Sequence, residues 1–133
     1  MATISKLEDL VIWQKAREIS LIVYQRTDTL FFQQNQGLKI QIRNSAGSIA
    51  DNIAEGFGRS SQKEFIHALF VASGELQELT SQIIRCGDFG IFNQADVALL
   101  TSRLSILDRM IRKLSFYLNH SGIKGQQFKG RMG

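Results

Sequence analysis

Four stretches of this 133-residue chain carry apolar side chains at helical spacings, the last two in strict alternation of three and four, and no proline interrupts any of them. That spacing gathers the apolar groups on one face of an α-helix. A proline inside such a helix would cost about 3 kcal/mol, so its absence leaves every stretch free to run long. The first stretch carries Ile12, Ala16, Ile19, Val23 and Leu30, and the second Leu38, Ile42, Ala46, Ile49, Ile53 and Phe57. The third carries Phe65, Leu69, Ala72, Leu76, Leu79, Ile83 and Cys86. The fourth carries Val97, Leu100, Leu104, Leu107, Ile111, Leu114 and Leu118.

The boundaries between stretches carry stop and start signals. Gly58 is expected to end the second helix in the left-handed conformation, with Arg59 and Ser60 as a tight link. Ser61 and Glu64 then have the spacing of a capping box, in which each side chain satisfies a backbone donor at the other's position. Asn93 is placed to cap the fourth helix, with Phe92 stapled onto Val97. The other links are the polar run 33–37 and the run 87–92 with its two glycines. Short links between comparable amphipathic helices predict an all-α, antiparallel up-down-up-down four-helix bundle. It is expected over residues 1–120, followed by a flexible basic tail at 121–133.

Composition narrows the class. At 44% hydrophobic and 21% charged, the chain reads as a soluble globular domain. Its one cysteine, Cys86, has no partner for an intrachain disulfide, which fits a reducing compartment. No apolar run approaches the roughly 18 residues of a membrane span, and the first residues lack a secretory core, so a cytoplasmic location is expected. The net charge of +4 is concentrated late in the chain, where residues 121–133 hold Lys124, Lys129 and Arg131 and no acid.

Few residues invite chemistry. Gly56-Phe57-Gly58-Arg59 lacks the longer glycine spacing, the Lys-Ser/Thr ending and the preceding strand of a phosphate loop. Asn52, Glu55 and Arg59 are helical neighbours, with Arg43 further back, and the expected role of this set is fixing helix packing or a subunit contact. Gly56, Gly58, Ser61 and Glu64 belong to the same structural corner. His67 and His120 are far apart, and no Glu-x-x-His pair of the di-iron bundle kind is present, so no metal, cofactor or catalytic residue is expected. Cys86 lies on a seam and reads as core.

Two features point outward. Arg109, Arg112 and Lys113 cluster late in the fourth helix beside the basic tail, and Lys39 and Arg43 sit one turn apart in the second. With Lys124, Lys129 and Arg131 they form the candidate nucleic-acid-binding set. Their alternative role is to complement a helix dipole and keep the protein soluble. The second feature is a surplus of apolar residues outside the seams, including Val11, Trp13, Leu21 and Tyr24, then Phe70, then Leu99, Ile106, Met110 and Tyr117. Stripes of that kind predict self-association.

The segment Ser48-Ile49-Ala50-Asp51-Asn52-Ile53-Ala54-Glu55-Gly56-Phe57-Gly58-Arg59, with Gln41-Ile42-Arg43 before it and Glu64-Phe65 after, resembles the signature of bacterial four-helix-bundle proteins. That family is encoded in intervening sequences of 23S ribosomal RNA genes. Leu10 to Ala16, Ala72 to Leu79 and the Lys124 to Lys129 region are also similar to it. The resemblance implies a bundle assembled as a ring of five subunits. A similar group, the accessory proteins of diversity-generating retroelements, assists a reverse transcriptase and contacts nucleic acid. Prolines common in the family are replaced here by Phe31-Phe32-Gln33 and Ile49-Ala50-Asp51, which removes the basis for a kink in the second helix. The expected function is a non-enzymatic homo-oligomeric scaffold that binds RNA or DNA weakly. The alternative is a scaffold for proteins alone.

Overall fold

Every residue of the third seam, and five of the seven in the fourth, is buried in the computed structural model, which describes residues 6–120. A 3-10 turn at Leu7–Asp9 leads into α1 (Val11–Arg26). The short helix α2 (Leu30–Gln33) precedes α3 (Gln36–Gly58), α4 (Gln62–Asp88) and α5 (Gln94–His120). No strand occurs among the described residues.

The seams explain the packing. Ile12, Ala16, Ile19 and Val23 of α1 meet Ile42, Ala46, Ile49 and Ile53 of α3 and the seams of α4 and α5 in one core. The helix α3 packs on α1 and α4, and α5 packs on α4 and α1, so the four long helices close a cycle. The α3–α4 contact is the most extensive and α1–α5 the least. Across the cycle, Arg26 at the end of α1 donates to Asp96 at the start of α5 at 2.8 Å, and Gln62 at the start of α4 donates to the Leu118 carbonyl near the end of α5.

Four local expectations need correction. The first helix does not reach Leu30: it stops at Arg26, and Leu30 is 69% exposed while Phe32 takes the buried place in α2. The helix ends at Thr27, whose backbone leaves the helical region while its buried hydroxyl donates to the Val23 carbonyl. The link after it is shorter than 33–37, because α3 already begins at Gln36. Gly58 is not left-handed: α3 continues through it and the chain turns extended at Arg59. The left-handed residue is Gly90, at φ 73°, in the link between α4 and α5, where a side chain would strain the backbone. Finally, the forward half of the capping box is the half made, with the Glu64 N–H donating to Ser61 Oγ at 3.3 Å. The Asn93 cap is made as expected, by the Asp96 N–H at 2.7 Å.

Candidate nucleic-acid interface and the α3–α4 corner

The signature residues gather where α3 ends and α4 begins. Gly56 is buried, and a Cβ there would lie 2.4 Å from Ala68 Cβ and 3.0 Å from the Phe65 ring. Only glycine permits that approach, and the edge-to-face contact of Phe57 on Phe65 closes the corner behind it. Outside this contact lies an open groove of about 580 Å³, lined by Asn52, Glu55, Arg59, Lys63, Glu64 and His67.

The hydrogen bonds among these groups are local, each made within four residues along the chain. Asn52 Nδ2 donates to the Ser48 carbonyl at 2.7 Å, and Arg59 pairs with Glu55 at 3.1 Å. Both partners of that pair are more than half exposed, so it contributes a few tenths of a kcal/mol at most. Arg59 and Lys63 are balanced by Glu55 and Glu64, which leaves the groove without a strong field.

The structure separates the basic residues proposed to bind nucleic acid. Arg43 is engaged inside the protein: Nε donates to Thr27 Oγ1 at 2.8 Å, Nη2 to the Tyr24 carbonyl at 3.2 Å, and the guanidinium lies 4.2 Å from the Tyr24 ring centre. It holds the end of α1 against α3. Lys39 is half-buried one turn before it. Helices α3 and α5 share no packed interface, so this pair does not join the cluster on α5.

On α5, Arg112 donates to Asp108 at 2.8 Å, and Asp108 also accepts from the Ser73 hydroxyl at 2.7 Å. That small network joins α4 to α5 and pairs Arg112, itself 66% exposed, with an acid one turn back. Arg109 and Lys113, one turn apart and exposed, have no hydrogen-bond or ion-pair partner among the described residues. Lys113 borders a shallow apolar groove with Leu10, Val11, Met110 and Tyr117. Lys124, Lys129 and Arg131 lie outside the described residues.

Two titratable groups have identifiable environments. Burial pushes the Cys86 thiol up, with Arg85 opposing in part, so the thiolate needed for nucleophilic chemistry is disfavoured. Loss of solvent raises the Glu75 carboxyl, helped by the charge and hydrogen bond of Glu78 one turn on. Gln82 is buried on α4 with both ends of its carboxamide unpaired among the described residues. The Arg43–Thr27 tie, the Ser73–Asp108 bond and the Arg26–Asp96 bridge are absent from the sequence-based reading, because their members lie 16 to 70 positions apart with no local pattern.

No helix among the described residues is long and apolar enough to cross a membrane. No curated protein matches the chain. The resemblance carried by the α3–α4 corner is borne out by the family comparison: the model of the 23S rRNA-intervening sequence proteins matches residues 8–113, and the chain belongs to that family.

Proposed function

We propose that the protein is a non-enzymatic, cytoplasmic, homo-oligomeric scaffold that contacts RNA or DNA weakly through summed positive charge. The observation that carries this reading is the pair Arg109 and Lys113, exposed on one face of α5 and unpaired by acids, directly before the basic segment 121–133. Arg43 leaves the interface set in this reading, because bonds to α1 already use its guanidinium group, while exposed Arg112 shares its charge with Asp108. The helices run up-down-up-down, which the Arg26–Asp96 and Gln62–Leu118 links support by joining the end of one helix to the start of another. The proposed ring of five and link to ribosomal RNA rest on the resemblance to this family, and the proposed role beside a reverse transcriptase on the similarity to retroelement accessory proteins.

Counterion release gives the test. Each phosphate neutralised adds roughly 0.7–0.9 to the log–log slope of affinity against salt. Several mild patches on one oligomer engage one strand together and add their slopes. Charge reversal at Arg109 and Lys113, and separately deletion of residues 121–133, should lower both affinity and slope in a salt titration with a generic RNA and a generic duplex DNA. No binding at low salt, or an unchanged slope in both variants, removes the nucleic-acid role. The second reading, a scaffold for proteins alone, then stands, favoured by exposed Val11, Ile106 and Tyr117 on α1 and α5.

A further inference from the structure

The last turns of α5 set cations and rings on one outward stripe. Arg109, Lys113, Phe116 and His120 follow spacings of four, three and four, which place them on one helix face, and all four are exposed. From Arg109 to His120 the sequence holds no acid. At a rise of about 1.5 Å per residue, Lys113 stands about 4.5 Å along the helix axis from Phe116, and Arg109 about 10.5 Å.

Phe116 and His120 form a fixed pair of rings rather than two loose side chains. The His120 Nδ1–H donates to the Phe116 carbonyl at 2.9 Å, since a carbonyl can only accept, and that bond holds the imidazole over its neighbour. The ring centres lie 3.9 Å apart, and the planes are within 20° of parallel. Phe116 is still 64% exposed with His120 against it, so aromatic surface remains turned to water. Phe116 stands outside the core, and a side chain left in water adds little to the fold.

The chemistry of the stripe fits one class of ligand. A flat π-face stacks on the face of a base, and cations one and two turns before it meet phosphates of the same strand. Inside a duplex each base face is covered by its neighbours, and only base edges and backbone are offered, so an aromatic platform adds nothing there. An unpaired strand presents base faces and phosphates together. Every base has a π-face, so a contact of this kind tolerates any sequence.

We infer that the end of α5 is a stacking platform for single-stranded nucleic acid, with Phe116 and His120 against a base and Lys113 and Arg109 on the phosphates beside it. This rests on the nucleic-acid reading of the proposed function and narrows it to unpaired strands.

Fluorescence anisotropy at low salt tests this on the full chain, with a labelled oligo(U), an oligo(dT) and a duplex of equal phosphate number. The parent should bind both single strands roughly tenfold more tightly than the duplex. Phe116→Leu keeps an apolar side chain at an exposed position and so keeps the fold. It should lose about tenfold on the single strands and nothing on the duplex. Its salt slope should equal the parent's, because no phosphate contact is removed, whereas charge reversal at Arg109 and Lys113 lowers the slope. Phe116→Trp should keep the affinity, and a single strand should quench its emission beyond the baseline of Trp13, the one native tryptophan. Equal affinity of the parent for strands and duplex overturns the platform, as does full strand affinity in Phe116→Leu, and in both cases the charge reading of the proposed function stands. Loss of strand binding together with oligomeric mass in Phe116→Leu, read by light scattering, puts the ring in a subunit contact and overturns the platform as well. A parent that binds no nucleic acid overturns both readings together.

Discussion

A methyl group at position 56 would lie 2.4 Å from Ala68 Cβ, closer than real carbon atoms approach, and backbone on both sides resists retreat. Gly56→Ala is therefore expected to destabilise the protein by about 1–3 kcal/mol, the usual range for overpacking. Ala68→Gly should restore part of that loss in the double variant, measured by denaturant melts as a coupling energy. Glu75 makes a prediction with a defined sign. Its folded carboxyl holds the proton more tightly than the ordinary value of 4.5, through burial first and Glu78 second. Its contribution thus favours the folded state below that value and is lost as pH rises through the raised folded value. Glu75→Gln should be more stable than the parent at neutral pH, and the advantage should vanish when the melts are repeated in acid.

At the scale of elements, the ends of α3 and α4 respond differently to the same kind of change. Ser61 accepts one of the backbone donors left over at the start of α4, through a long and exposed bond. Ser61→Ala should cost about 0.5–1 kcal/mol, the low end of the capping range. Gly58, one turn after Ala54, has helical backbone and open space around it. Gly58→Ala should be neutral or stabilising by about 0.4–1 kcal/mol, because the unfolded chain loses freedom and the folded one loses nothing. Equilibrium melts of the two variants should move in opposite directions. Matching losses would return Gly58 to the left-handed role expected from its position after Phe57.

For the whole molecule, the uncovered apolar residues are divided among several faces: Val11 and Tyr117 on the α1–α5 side, Ile40 on α3, Phe70 and Ile84 on α4. A monomer of this size rarely leaves that much apolar surface in water. Light scattering with chromatography at micromolar concentration should report a mass well above the 15.0 kDa of one chain. A monodisperse monomer would contradict the scaffold proposal at its base. Dilution should also lower the melting temperature, since an association that binds only folded chains stabilises them in proportion to concentration.

Ile42, Ile49, Leu69, Leu76, Leu104 and Leu107 were legible as core from spacing alone, because helical periodicity is a local property and every buried face repeats it. The Asn93 cap and the Ser61 cap of α4 were legible for the same reason, being written within a few residues. The early end of α1 was not, since Leu30 continues the pattern and Phe32 displaces it only when α3 packs nearby. Nor was the division of the basic residues. From the sequence, Arg43 is equivalent to Arg109 and Lys113, as all three are cations on helices, whereas Arg112 has Asp108 four residues before it. Tertiary structure alone brings Thr27 and Tyr24 to Arg43, and Ser73 to the Asp108 that pairs with Arg112 one turn on. Periodicity determines which face of each helix turns inward, whereas the charge left to meet a partner depends on which distant groups the packed helices set within hydrogen-bond reach.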